Sequence, residues 1–97
     1  MAQTPEGKVK AAVRKMLTEF GIYYFSPAAN GFGRAGIPDI ICCYNGRFIA
    51  IECKAGKGTT TALQDRELAA IRTAGGMAMV VNELNMQELK EKLQWMR

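Results

Sequence analysis

Ile37-Pro38-Asp39-Ile40-Ile41-Cys42-Cys43-Tyr44-Asn45-Gly46-Arg47-Phe48-Ile49-Ala50-Ile51-Glu52-Cys53-Lys54 is the stretch that decides how this chain folds. Its two halves are rich in β-branched and aromatic residues, and the Asn45-Gly46 pair between them favours a two-residue type I′ hairpin, whose central residues both need positive φ. Such a short loop sets the register. Tyr44 then pairs with Arg47, and counting back brings Asp39 opposite Glu52. Two carboxylates in that relation have Cβ atoms about 5 Å apart and repel each other. Alternate residues of a strand share a face, so Lys54 joins Glu52 and Asp39, lying diagonal to Asp39. A divalent cation held between the acids would turn a repulsive pair into a binding site. The competing reading is a solvated charged patch that Lys54 neutralises.

Upstream, Thr4-Pro5-Glu6 has the form of a helix start, with Thr4 as N-cap and Pro5 at the first helical position. Val9, Ala12, Val13, Met16, Leu17 and Phe20 form one apolar face, and Gly21 closes the helix. Ile22 to Phe25 reads as a short strand, followed by Ser26-Pro27 and a glycine-rich loop over 30–36. Downstream, a second loop (55–60) leads to a helix over about Thr61 to Ala74, stopped by Gly75-Gly76. Met77 to Val81 reads as a buried strand and Met86 to Met96 as an amphipathic helix bearing Leu89 and Leu93. The order is α-β-β-β-α-β-α, and residues 1–97 are read as a single α/β domain.

Composition narrows the chemistry. Thirteen Lys plus Arg against nine Asp plus Glu give a net charge of +4, with 48% hydrophobic and 23% charged residues. That balance suits one modest globular core and a polyanionic partner. The chain has no histidine, which removes Ser-His-Asp and Cys-His catalysis and the His-Glu-x-x-His zinc helix. Carboxylates, lysine and a metal ion are left to carry a reaction. The three cysteines lack metal-ligand spacing and are expected to be reduced and mostly packed. No apolar run reaches the roughly 20 residues of a membrane span and no signal-peptide core is visible, so a soluble, cytoplasmic protein is expected, with no membrane partner.

Two further polar residues point the same way. Glu6 lies three residues before Val9 and extends the inward stripe of the first helix, or it is simply an acid at the positive end of the helix dipole. Gln64 lies four before Leu68 on the apolar face, or it completes a capping box with Thr61. Taken in order, Glu6, Gly36-Ile37-Pro38-Asp39, Ile51-Glu52-Cys53-Lys54, Gln64 and Gly75 resemble the PD-(D/E)xK nuclease superfamily, and specifically its VRR-NUC domain (virus-type replication-repair nuclease), in stand-alone, phage-type members of this size. Those members also resemble archaeal Holliday-junction resolvases in fold.

The resemblance implies a restriction-endonuclease-like core with a mixed central sheet flanked by helices. It implies that Asp39 and Glu52 ligate Mg²⁺ or Mn²⁺ with the backbone carbonyl of Cys53, and that Glu6 binds the metal directly or through water. Lys54 would serve the attacking water and the phosphate charge, and Gln64 would hold the site. The departures are Asp65-Arg66-Glu67 after Gln64, with no aromatic nearby, and a cysteine between Glu52 and Lys54. The implied activity is a metal-dependent, structure-selective DNA endonuclease acting at branched or Holliday-type junctions. A nicking or end-processing nuclease and an inactive nucleic-acid-binding module are the alternatives.

Gly31-Phe32-Gly33-Arg34-Ala35-Gly36 has the letters of a dinucleotide fingerprint, but it leads into a strand and not a helix. Gly56-Lys57-Gly58-Thr59 approximates a P-loop without the Ser or Thr that should follow the lysine. Both loops suit close approach to a phosphate backbone, with Arg34, Lys57 and Thr59 as donors. Phe32 either stacks at a branch point or packs on the domain edge. Lys8, Arg14 and Lys15 are placed on the outer side of the first helix, as ordinary solvated surface or as surface that tracks DNA. Paired incisions require two sites, which the resemblance implies come from a homodimer; the last helix (Met86, Leu89, Leu93, Trp95) or the edge strand Met77 to Val81 could form its interface, or the same residues serve the small core.

Overall fold

A computed structural model describes residues 3–28 and 33–97; Phe32 lies outside them. The elements are α1 (Pro5–Glu19), β1 (Tyr23–Phe25), β2 (Ile40–Tyr44), β3 (Arg47–Cys53), α2 (Ala62–Thr73), β4 (Met77–Val81) and α3 (Met86–Trp95). The sheet order is β1-β2-β3-β4, antiparallel except for the parallel β3–β4 pair. This is the expected mixed α/β sheet flanked by helices.

Asn45 (φ 50°) and Gly46 (φ 78°) adopt the two positive-φ positions of the hairpin turn, and Tyr44 pairs with Arg47 and Ile40 with Ile51 as the two-residue loop requires. Two boundaries of the hairpin strands are shorter than the sequence suggests. β2 begins at Ile40 and not Ile37, because Pro38 has no amide to give to a ladder and Asp39 receives the Cys53 amide on its side chain, Oδ2 at 2.8 Å, where a backbone bond would otherwise stand. β3 ends at Cys53, one residue before Lys54.

Strand alternation sorts the sheet's two faces. Ile40, Cys42, Ile49, Ile51, Cys53, Met79 and Val81 pack with Val9, Val13 and Leu17 of α1 and Leu89 and Leu93 of α3. Ala50 and Ala78 meet Leu68 of α2 on the other face, with Ile41, Ile71 and Val80 beside them. The small residues under α2 let that helix lie close to β3 and β4. It leaves open the part of its face formed by β1, β2 and the hairpin end of β3, where Tyr23 and Phe25 of β1 and Phe48 of β3 are exposed.

The dimer surfaces expected from the sequence need correction. Leu89 and Leu93 are fully buried in the core of the single chain; only Trp95 of that group stands out, 75% exposed, with the Arg47 guanidinium over its ring. The edge strand is also occupied. Val81 O faces β3, where it accepts from the Lys54 amide, so the carbonyls of Ala78 and Val80 face outward by alternation. Arg72 Nη2 donates to Ala78 O and Asn85 Nδ2 to Val80 O, each at 2.8 Å. Pairing a second strand onto β4 would break both bonds.

Candidate active site

The site lies where β2 begins and β3 ends, between the first turns of α1 and α2. Thr4 caps α1 by accepting from the Gly7 amide, which fixes the first turn and with it Glu6. Thr61 caps α2, and its capping box with Gln64 is complete: Thr61 N donates to Gln64 Oε1 at 2.9 Å and Gln64 N to Thr61 Oγ1 at 3.2 Å. The same Gln64 side chain donates from Nε2 to Glu52 Oε2 at 3.2 Å. Capping and site support, alternatives in the sequence, are one and the same arrangement.

Gly36 sets how closely α2 approaches. Its φ is +85°, and a Cβ there would stand 2.5 Å from Leu63 O and 2.9 Å from Gln64 N. Glycine is required twice over, for conformation and for space.

Glu52 is 2% exposed, a buried acid at the end of a central strand. Burial, and then the adjacent Asp39 carboxylate, push its pKa from 4.5 up to about 7, against the pull of Lys54. Lys54 Nζ is 3.5 Å from Glu52 Oε2. The expected triad of Asp39, Glu52 and Lys54 therefore meets in space, with Lys54 on Glu52. Cys53 turns into the core, where burial raises its thiol to about 12, and it meets the site through its amide. Among the described residues no group of three or more Cys, Asp or Glu side chains forms a ready metal cluster.

Glu6 is joined to Asp39 through a shared ammonium. Lys10, a residue the sequence reading passed over, stands between them: its Nζ is 3.4 Å from Glu6 Oε2 and 3.3 Å from Asp39 Oδ1. The available signal was its i,i+4 spacing from Glu6. Lys10 also lines a cleft of about 750 Å³ with Arg14, Arg34, Gly36, Pro38 and Asp39. Arg14 thus belongs to the cleft wall, not to the outer side of α1, because Lys10 and Arg14 are one turn apart on the helix. Arg34 Nε contacts Glu67 Oε1 at 3.2 Å, and Glu67 is a second buried acid missed in the sequence. Its place three residues after Gln64, on the same helical stripe, was the clue. Lys8, Lys57 and Thr59 are exposed.

The donor set suits a hard divalent cation. Two carboxylates, one of them opposed in its ionisation first by burial and then by its neighbour, would be relieved by a positive ion between them.

A hairpin ending in Asp and Glu-x-Lys, a parallel fourth strand and helices on both faces define the restriction-endonuclease-like class, within the PD-(D/E)xK superfamily. Residues 10–90 match the family described as archaeal Holliday junction resolvase (Hjc), and the chain belongs to it. Among solved structures it is similar to Hjc of Archaeoglobus fulgidus, "a Holliday junction resolvase from an archaeal hyperthermophile", at 22% identity and a TM-score of 0.61 over 78% of this chain and 65% of that one. The chain thus spans just under two-thirds of that protein's length. No curated protein matches the sequence. Among the described residues no helix is long and apolar enough to cross a membrane.

Proposed function

We propose that this chain is a metal-dependent, structure-selective DNA endonuclease that cleaves phosphodiester bonds at branched or Holliday-type junctions. The observation that carries the reading is the buried Glu52 against Asp39, with Lys54 at 3.5 Å, opening beside a cleft lined by Lys10, Arg14 and Arg34. Asp39 and Glu52 would hold Mg²⁺ or Mn²⁺, with the Cys53 carbonyl as a backbone ligand and Glu6 reaching the ion directly or through water. When bound, the ion supplies a nucleophile from water near neutral pH and relieves charge on the phosphate. Gln64 keeps Glu52 aimed at the site, and Lys54 stabilises negative charge there. Arg14 and Arg34, with Lys8, Lys57 and Thr59 outside the cleft, bear on the phosphate backbone.

The narrower likeness to phage-type VRR-NUC members rests on the motif order alone, and it puts the reaction in the cytoplasm, that of a host cell for a phage-encoded chain. One site cuts one strand, so paired incision calls for a homodimer. The uncovered sheet face bearing Tyr23, Phe25 and Phe48 suits a second copy better than α3 or β4. Without that second copy the same site is a nicking nuclease.

The test is cleavage of matched linear, flapped and four-way DNA with Mg²⁺ or Mn²⁺, comparing wild type with Glu52→Ala. Wild type is expected to prefer the four-way substrate and the variant to be inactive with its circular dichroism unchanged. Equal rates on all three shapes would overturn structure selectivity, and an active variant would overturn the site.

A further inference from the structure

The cation that this site already contains is a side chain. Glu6, Asp39 and Glu52 face two ammonium groups, Lys10 and Lys54, which leaves one negative charge in excess when all three acids are ionised. A divalent ion added to that set reverses the excess to one positive charge, so one ammonium is better moved away. The two lysines differ in their freedom to do so. Lys54 is held with its side chain 14% exposed against the buried Glu52, whereas Lys10 is 31% exposed and already lines the cleft. Its contacts are also those a metal needs, since it occupies one oxygen of Asp39 and one of Glu6.

We infer that Lys10 is a positioning residue that competes with the divalent ion: its ammonium holds Glu6 and Asp39 together in the metal-free chain, and metal binding releases it into the cleft to meet a phosphate of the DNA backbone. The inference rests on the metal-dependent reading of the site. An ordinary i,i+4 pair would join Lys10 to Glu6 alone; the second contact, to a residue 29 positions further along the chain, gives Lys10 its place between the metal-site acids.

Mn²⁺ binding to the full-length chain, followed by calorimetry without DNA, reads this apart from cleavage. Lys10→Met keeps the aliphatic stem and removes the charge, and is expected to tighten Mn²⁺ binding roughly fivefold or more, as loss of a unit positive charge a few ångströms away should. Lys10→Arg keeps the charge and is expected to tighten Mn²⁺ binding less than Lys10→Met does. On four-way DNA, Lys10→Met should reduce the slope of log affinity against log salt by about one with Ca²⁺ present and leave it unchanged in EDTA. Unchanged or weaker Mn²⁺ binding by Lys10→Met, or a slope altered equally with and without metal, overturns the role of Lys10. If wild type binds no Mn²⁺, or if Glu52→Gln binds it as tightly, the metal reading itself falls and the role of Lys10 with it.

Discussion

The site has two carboxylate arms that share a chemistry and differ in burial. On the α2 side, Glu52, Lys54 and Gln64 form a set sealed at the end of a central strand. On the α1 side, Glu6, Lys10 and Asp39 are partly exposed, and Lys10 and Asp39 line the cleft. The first arm is fixed by packing and by a helix cap, and its acid is pushed up in pKa. The second is held by ion pairs at the rim of a cleft, which solvent screens. A metal site assembled from both has one rigid half and one that adjusts.

The change expected to cost most breaks the rigid arm from outside it. Gly36→Ala forces a side chain into a positive-φ position and against Leu63 O, so α2 must retreat and take Gln64 from Glu52. A loss of about 2–4 kcal/mol in urea unfolding is expected, with cleavage falling alongside. An unchanged stability would show that Gly36 does not set the approach of α2.

Next is the pH dependence that separates the arms. Glu52 ionises near 4.5 in the unfolded chain and at about 7 in the fold, because it is buried and then because Asp39 is beside it. The metal-free fold therefore gains from the protonated acid: that contribution is complete below about 4.5 and lost as the pH rises through about 7. In EDTA, wild type should lose on the order of 2 kcal/mol relative to Glu52→Gln between about pH 5 and about pH 8. Parallel profiles would place Glu52 in a wetter setting than described. Mn²⁺ affinity should fall in the same window as the pH drops, since the ligand must be ionised.

Gln64→Ala removes a capping partner and a donor to a buried acid, for an expected loss of about 1–2 kcal/mol in thermal unfolding. Thr61→Ala removes only the cap and should cost less than Gln64→Ala; equal losses would mean that the bond to Glu52 adds nothing. The smallest effect belongs to Lys8→Ala, exposed and outside both arms. Stability should stay within about 0.5 kcal/mol, and binding should weaken alike for linear, flapped and four-way DNA in a gel-shift titration.

The rigid arm was almost wholly legible in the sequence. Asn45-Gly46 fixes a register that carries Asp39 to Glu52 by counting, and Thr61-x-x-Gln64 marks the helix start that brings Gln64 to them. The adjustable arm was legible in Glu6 and Asp39 but not in what joins them. Lys10 reaches Asp39 and Arg34 reaches Glu67 across 29 and 33 residues, and no local period links such positions before the chain is folded. The strand order was hidden for the same reason: β4 beside β3 is a crossover through α2, which the hydrophobic pattern of Met77 to Val81 does not specify. The early start proposed for β2 missed the exchange of a ladder bond for the side chain of Asp39.

The bonds from Arg72 and Asn85 to the carbonyls of β4 bear on how molecules of this protein meet one another. At the opposite margin, β1 is only three residues long, too short to template much of a neighbouring strand. Lateral growth of the sheet is thus discouraged at both margins, so a second copy in the proposed homodimer would have to meet the first broadside. Two molecules related in that way would keep their candidate sites apart by a distance set by rigid sheets, like the jaws of a calliper.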